Sequence, residues 1–132
     1  MNRVRNYGTA IVLAHLLVNI IHGAAHRELH VGLEPIEMLF VVGVILISPL
    51  VAMGLLWTSY KQTGLILLTL SMFGSLTFGA YKHFVAMGPD HVSQRLADAW
   101  GMAFVVSAYL LLLTEGIGTY TGLFLLYKKA RA

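Results

Sequence analysis

The sequence GTAIVLAHLLVNIIHGAAHRELH, residues 8–30, decides how the whole chain is interpreted. Its polar side chains recur four, seven, eleven and fifteen residues after His15, and they are Asn19, His22, His26 and His30. At about 100° per residue, all of these positions lie on one narrow face of a helix. Ionisable side chains are costly inside a bilayer, and they usually face a bundle interior or a polar path. The stripe therefore predicts a functional face on a membrane-spanning helix.

The composition is that of a membrane protein. Hydrophobic residues make up 58% of the 132 positions, charged residues make up 11%, and the mean hydropathy is +0.75, whereas soluble domains carry about 25% charged residues. Cysteine is absent, which excludes disulfides, thiolate ligands and cysteine nucleophiles. The cations lie at segment ends rather than in a basic patch interleaved with aromatic residues, so nucleic acid is not an expected partner. The expected environment is a lipid bilayer.

Four apolar segments are long enough to cross a hydrocarbon core of roughly 30 Å, which takes about 20 helical residues. They lie near residues 8–27, 36–57, 63–84 and 99–127. No internal repeat, low-complexity tract or linker divides the chain. The sequence therefore predicts one all-α domain over residues 1–132, an integral membrane four-helix bundle. Pro49 is expected to kink the second helix because it removes a backbone hydrogen bond.

Lysine and arginine are distributed unequally between the two ends of this predicted bundle. Of the nine, three lie at the end opposite the termini, and they are Arg27, Lys82 and Arg95. The others lie beside the termini or in the turn after the second span. Because cytoplasmic loops carry the excess of positive charge, both termini are expected in the cytoplasm. The histidines at the opposite end would then be extracytoplasmic, in a bacterial-type cytoplasmic membrane.

A cleavable leader is the alternative to a first span. Arg3 and Arg5 would form its basic region, and the small residues 23–25 would form its cleavage site, so that residues 1–25 would be removed. The polar stripe does not suit a leader, whose central region needs only to be apolar. We therefore expect this segment to be retained as the first helix.

The predicted topology gathers histidines at the end of the bundle opposite the termini. His22 and His26 are spaced so that one helix points two imidazoles at one ion, and His83 on the third span adds a third nitrogen. Glu37 and His91 are candidates to complete the ligand set or to support it. Nitrogen and oxygen donors without sulfur suit iron, copper, zinc or manganese. The alternative is that these histidines simply lie in the headgroup zone and hydrogen-bond to water, and this interpretation applies most to His30 and His91.

The same residues are compatible with haem b. His22 or His26 would supply one axial nitrogen and His83 the opposite one, with glycines such as Gly79 leaving space for the macrocycle. Redox chemistry is the expected use of a metal or haem here, which makes the chain a candidate membrane oxidoreductase in electron transfer with a redox partner or a quinone. A second histidine pair is missing from the terminal end, so a relay across the bilayer is not expected.

A second polar group lies deeper in the predicted bundle. Glu115 is well inside the fourth span and His15 is at a matching depth in the first, so we expect the two to meet. One interpretation is a hydrogen bond that fixes the helix register. The other is a proton path through Asn19 towards His22, of the kind that carboxylates and histidines form in pumps.

Two further classes of function stay open beside a metal or haem protein. One is a proton-coupled small transporter or channel that uses His15 and Glu115, and the other is a structural subunit of a larger membrane complex. Gly118 and Gly122 form a small-xxx-small motif on the fourth span, which favours close helix contact within the chain or a homo-oligomer. The sequence contains neither a hydrolase nucleophile motif nor a phosphate-binding glycine loop.

Overall fold

The computed structural model describes residues 2–95 and 97–131, which form four long helices. They are α1 (Asn2–Glu28), α2 (Pro35–Leu56), α3 (Lys61–Val85) and α4 (Ala99–Ala130). Each is long and apolar enough to cross a membrane. The described residues contain no strand, and the predicted all-α class with four membrane helices is confirmed. α1 and α4 extend beyond the predicted spans, through the polar residues next to the termini.

The packing of the helices differs between the two ends of the bundle. α4 packs against both α1 and α3, and α3 also packs against α2. α1 contacts mainly the second half of α2, Ser48–Leu56, whereas the first half of α2 packs on α3. α1 and α2 therefore separate towards the end that holds residues 29–34 and 86–98, which we call the loop end.

The apolar core lies in the half of the bundle near the termini. Its buried side chains are Val12, Ala52, Leu56, Leu65, Leu68 and Met72. An added Cβ at Gly118 would lie 2.9 Å from Met72 Cγ, and one at Gly122 would collide with the side chain of Thr69. The two glycines of the small-xxx-small motif therefore let α4 approach α3 within the chain.

Beside the apolar core, several polar side chains are buried inside the bundle, and many large apolar side chains are exposed on its surface. The buried polar residues include His15, His22, Ser75, His83, Ser107 and Glu115. Large apolar side chains such as Leu17, Leu70 and Leu113 are more than half exposed. This distribution suits a surface that meets hydrocarbon, because lipid accepts apolar side chains and the bundle interior satisfies polar ones.

The disturbance expected at Pro49 takes the form of a π-helical segment, Val41–Ile47, in the middle of α2. Pro49 has no N–H to donate and its ring crowds the preceding turn. The backbone N–H of Ser48 instead bonds to the carbonyl of Gly43, five residues back, and the Ser48 hydroxyl donates to the same oxygen at 2.7 Å. A second π-helical segment, Tyr81–Val85, ends α3. Such segments are frequent at functional sites, and both lie in the half of the bundle towards the loop end.

Candidate metal centre

Three histidines from two helices meet at the loop end. His22 and His26 are one turn apart on α1, and His83 comes from the π-helical end of α3. One ring nitrogen of each histidine lies within 4.8 Å of the others. His22 and His83 are buried, and His26 is half-buried. The structure thus brings together the three residues that the sequence singled out as ligands, which we call the histidine cluster.

The hydrogen bonds of His22 determine which of its nitrogens is free to bind. Its Nδ1 lies 2.8 Å from Oγ of Ser107 on α4. The Ser107 hydroxyl donates its own hydrogen to the carbonyl of Phe104, at 3.0 Å, so its oxygen accepts from the imidazole. Nδ1 of His22 therefore carries the hydrogen, and Nε2 of the neutral ring carries a lone pair.

His83 has the same arrangement through a different partner. Its Nδ1 lies 2.9 Å from the backbone carbonyl oxygen of Asp90, in the loop that follows α3. A carbonyl oxygen only accepts, so the ring donates from Nδ1 and its Nε2 carries the lone pair. The loop folds back over the end of its own helix, and this return places the Asp90 carbonyl beside Nδ1 of the ring.

The end of α1 orients His26. His30 adopts a positive φ of 54°, and the N–H groups of Val31 and His30 bond to the carbonyls of His26 and Arg27 at 2.9 and 3.1 Å. This is the Schellman arrangement, which reverses the chain after a helix. The reversal places the carbonyl of Val31 3.1 Å from Nδ1 of His26, which donates to it. Nε2 of His26 is left facing away from its own helix end.

The lone pairs of His22 and His83 point at one another. Their Nε2 atoms are 3.1 Å apart, although each neutral ring has already placed its hydrogen on the other nitrogen. Two facing lone pairs at this distance repel, so the arrangement calls for a cation between them. Ring nitrogens that donate to carbonyl or carboxylate groups while the opposite nitrogen faces a common point are typical of metal-binding histidines.

The distance between these nitrogens distinguishes two ways of holding a metal. With metal–nitrogen bonds of about 2.0–2.1 Å, adjacent ligands of a tetrahedral ion are about 3.3 Å apart and those of an octahedral ion about 2.9 Å apart. Ligands on opposite sides of one ion, as in a haem with two axial histidines, are about 4.1 Å apart at the same bond length. The observed 3.1 Å matches adjacent ligands and leaves no room for a macrocycle between His22 and His83.

Asp90 places a carboxylate against two rings of the cluster. Its Oδ1 lies 3.2 Å from Nδ1 of His83 and 3.3 Å from Nε2 of His26. Burial acts to raise the pKa of the Asp90 carboxyl, but the imidazoles of His83 and His26 and the ammonium of Lys82 outweigh it and hold that pKa below its usual value. Nε2 of His26 can therefore either share a proton with the Asp90 carboxylate or bind a metal.

Phe104 closes one side of the histidine cluster. It is fully buried, and its ring centroid lies 4.8, 5.1 and 5.3 Å from those of His22, His26 and His83. The sequence analysis assigned no role at the site to Phe104, Ser107 or Asp90. Phe104, Ser107 and Glu115 share one face of α4 by their spacing, which is the signal that could have found the first two.

Glu37 and His91, which the sequence offered as completing ligands, lie outside the histidine cluster. Glu37 accepts from Nζ of Lys82 at 2.8 Å and from the backbone N–H of Glu34 at 3.1 Å. Nδ1 of His91 accepts from the backbone N–H of Ser93 at 3.2 Å and lies 2.7 Å from its hydroxyl oxygen, so the ring caps a short helical turn. Their partners therefore give both residues local structural roles.

The deeper polar residues meet as the sequence led us to expect. Nε2 of His15 lies 3.1 Å from Oε1 of Glu115, and both side chains are buried. Asn19, one turn beyond His15, donates from its side-chain amide to the His15 carbonyl at 2.9 Å. The second carboxylate oxygen of Glu115, Oε2, has no hydrogen-bond partner among the described residues.

A cavity of about 330 Å³ connects these two polar groups. Its lining includes the three residues of the histidine cluster, and Asn19 and Glu115. Most of the remaining lining is apolar. Val41, Ile45 and Leu46 contribute to it from the π-helical segment of α2. The cavity occupies the space where α1 and α2 separate.

Comparisons of the chain with family models, with curated proteins and with solved structures gave no significant match.

Proposed function

We propose that this chain is an integral membrane protein that binds a transition metal ion through Nε2 of His22, His26 and His83. The observation that carries the proposal is the facing pair of His22 and His83, whose hydrogens are both committed elsewhere. A single proton between the two rings would also relieve their repulsion. The third imidazole favours a metal, because a proton is shared between two nitrogens whereas a metal ion takes three or more.

The donor set is compatible with several transition metals. Imidazole nitrogens suit zinc, copper, iron and nickel, and an adjacent carboxylate also admits manganese. Among the candidates named from the sequence, iron, copper, zinc and manganese all stay in the proposal. The 3.1 Å separation of the two Nε2 atoms weighs against haem b between His22 and His83. A metal ion without a macrocycle is the form that the geometry supports best.

Metal analysis of the purified protein tests this function directly. The protein in mild detergent should contain metal in a stoichiometric amount, without a Soret band in its visible spectrum. His22→Ala and His83→Ala should each lose that metal. His91→Ala and His30→Gly are matched controls, because each removes an imidazole at the same end of the bundle, and glycine suits the positive φ at position 30. Both controls should retain the metal.

Two results would contradict the proposal. One is a folded wild-type protein that neither contains metal nor binds added Zn²⁺, Cu²⁺, Fe²⁺ or Mn²⁺. The other is loss of metal from the control variants to the same extent as from His22→Ala. A Soret band would show that the protein binds haem instead of a metal ion alone, and the axial ligands would then have to be residues other than the His22 and His83 pair.

Redox chemistry is the use that we propose for this centre. Three imidazoles leave a coordination position for a further ligand, and the apolar cavity beside the cluster gives a molecule access to it. An iron or copper centre should change its absorption or electron paramagnetic resonance spectrum on reduction with dithionite and recover on oxidation. A protein that holds only zinc would not respond, which would exclude electron transfer by this metal.

The pair of His15 and Glu115 favours a proton path as a second candidate function. The two side chains bond inside the membrane region, and Oε2 of Glu115 opens on the cavity that reaches His83. Proton uptake by liposomes that contain the protein should then depend on Glu115 and His15 without requiring metal. Equal uptake by wild type, Glu115→Gln and His15→Gln would exclude this path.

A further inference from the structure

The cavity between α1 and the first half of α2 has the dimensions and the lining of a ligand site. Its volume of about 330 Å³ falls in the range of roughly 300–1,000 Å³ that small-molecule sites occupy. Its walls are mostly apolar, and its polar lining residues include His83 and Glu115. Sites for small molecules are typically built in this way, with apolar walls for affinity and few polar groups for orientation.

Two of the residues that line the cavity lie on the surfaces of neighbouring helices. Gly23 of α1 and Met38 of α2 both line it, and both are exposed on the outer surface. A Cβ placed on Gly23 would meet no atom within 4 Å. Gly23 precedes the end of α1 at Glu28 by five residues, a rise of roughly 8 Å at 1.5 Å per residue. An opening between Gly23 and Met38 would admit a molecule at the depth of the membrane-spanning helices.

Glu115 supplies an unsatisfied polar group to this apolar space. Its side chain is 3% exposed, Oε1 is held by His15, and Oε2 has no partner among residues 2–95 and 97–131. Buried polar atoms in folded proteins nearly always have a partner. A hydroxyl group both donates and accepts, so it can satisfy this oxygen whether the carboxyl group is ionised or protonated.

Gly79 marks the space between Glu115 and the histidine cluster. A Cβ built on Gly79 would lie 3.8 Å from Oε2 of Glu115 and 3.9 Å from Cδ2 of His83. A group located there contacts the carboxyl group and the His83 ring together. A larger side chain at position 79 would fill the same space without removing any polar group.

We propose that this cavity binds an uncharged, largely apolar molecule that enters from the bilayer and hydrogen-bonds through a hydroxyl group to Oε2 of Glu115. The bound molecule lies next to His83, so it is a candidate substrate of the metal centre. That last step rests on the proposed function, whereas the binding itself does not require metal. Water alone at Oε2 is the competing occupant, and the experiment below separates the two.

Matched alcohol and alkane probes test the binding. The thermal unfolding of the chelator-treated protein in detergent is followed by circular dichroism with 1-octanol or with octane. We expect 1-octanol to raise the Tm saturably, by about 4 °C at ten times its Kd, and octane to raise it less. Gly79→Leu should abolish the difference between the two probes. Gly116→Leu is the control, because a Cβ at Gly116, on α4, meets no atom within 4 Å, and this variant should behave as wild type.

Further variants identify which part of the proposal fails. Glu115→Ala should bind both probes equally, since it removes the hydroxyl partner and leaves the apolar walls. If Glu115→Ala does not fold, the comparison of wild type with Gly79→Leu still tests binding in the cavity, because Gly79→Leu retains Glu115. If 1-octanol raises the Tm of wild type and of Gly79→Leu equally, the alcohol does not bind in this cavity and the proposal is overturned. Water would then be the partner of Oε2 of Glu115. Metal analysis of the same samples is independent, so an absence of metal overturns the proposed function and leaves the binding result standing.

Discussion

Ser107 offers a way to disturb the histidine cluster without touching any proposed ligand. Its hydroxyl accepts from Nδ1–H of His22 and donates to the carbonyl of Phe104. Ser107→Ala removes the acceptor and leaves a buried N–H without a partner. The ring can relieve this by moving its hydrogen to Nε2, and a protonated Nε2 cannot bind a metal. We therefore expect the variant to fold and to lose affinity for metal.

The size of the loss follows from the number of contacts removed. Replacing a residue that orients a metal-binding histidine typically costs 10- to 100-fold in affinity, which corresponds to about 1.4–2.7 kcal/mol. The fold itself loses one buried hydrogen bond with its partner left unsatisfied, which costs about 1–3 kcal/mol of unfolding free energy. Removal of His22 itself should eliminate binding, so the effect of Ser107→Ala should lie between that of His22→Ala and wild type.

The assay is competition for Zn²⁺ between the detergent-purified protein and a chromophoric chelator. Ser75→Ala is the matched control, since Ser75 is also buried and lines the cavity, but its hydroxyl donates only to a carbonyl of its own helix, that of Ser71. Its affinity for Zn²⁺ should equal that of wild type. Equal affinities of wild type and Ser107→Ala, within a factor of two, would refute the assignment of the free nitrogen in His22.

Three further predictions concern packing, the deep carboxyl group and the loop. Gly122→Ala should lower the unfolding free energy by about 1–3 kcal/mol, because its Cβ would collide with Thr69 on α3. The control Gly116→Ala should change the unfolding free energy by less than about 0.5 kcal/mol. Denaturant titration compares the two variants, and equal losses would show that α3 and α4 are not in close contact at Gly122. Glu115→Gln should keep the wild-type metal content, because Glu115 is outside the histidine cluster, and metal loss from this variant would place the centre deeper in the bundle. The pKa of Asp90 lies below its ordinary value of 3.8, so its ionised form stabilises the fold fully above that pH, and this stabilisation is lost as the pH falls through the lower pKa of the folded state. Asp90→Asn should therefore lose less stability than wild type on acidification below pH 4, as measured by circular dichroism, and an unchanged acid profile would contradict the role of this carboxylate.

The sequence was sufficient for the helices and for the polar face of α1. Length and hydropathy identify spans because the hydrocarbon core requires about 20 apolar helical residues, and the structure places helices over all four predicted segments. Because a helix has a fixed period, the spacing of His15 and His22 in the sequence is enough to predict that they share one polar face. In the structure this face points into the bundle. The location of both termini in the cytoplasm, which rests on charge distribution alone, stays a prediction.

The roles of individual site residues were less accessible to sequence. Glu37 and His91 are residue types that can bind a metal, and both lie at the loop end. Their side chains instead contact Lys82 and Ser93. Ligand type says which residues can bind a metal, and only the positions of their neighbours say which of them are free to do so. The cavity was also beyond prediction, because it arises where α1 and α2 separate rather than from any local pattern.

The sequence by itself determined four membrane-spanning helices and an inward row of histidines, since burial of apolar segments and helical period depend on residues close in the chain. Only the tertiary structure decided that Nε2 is the free nitrogen of His22 and of His83. That choice depends on a hydroxyl from α4 and on a carbonyl from the loop after α3, and neither partner can be assigned until the chain has folded back over its own helix ends.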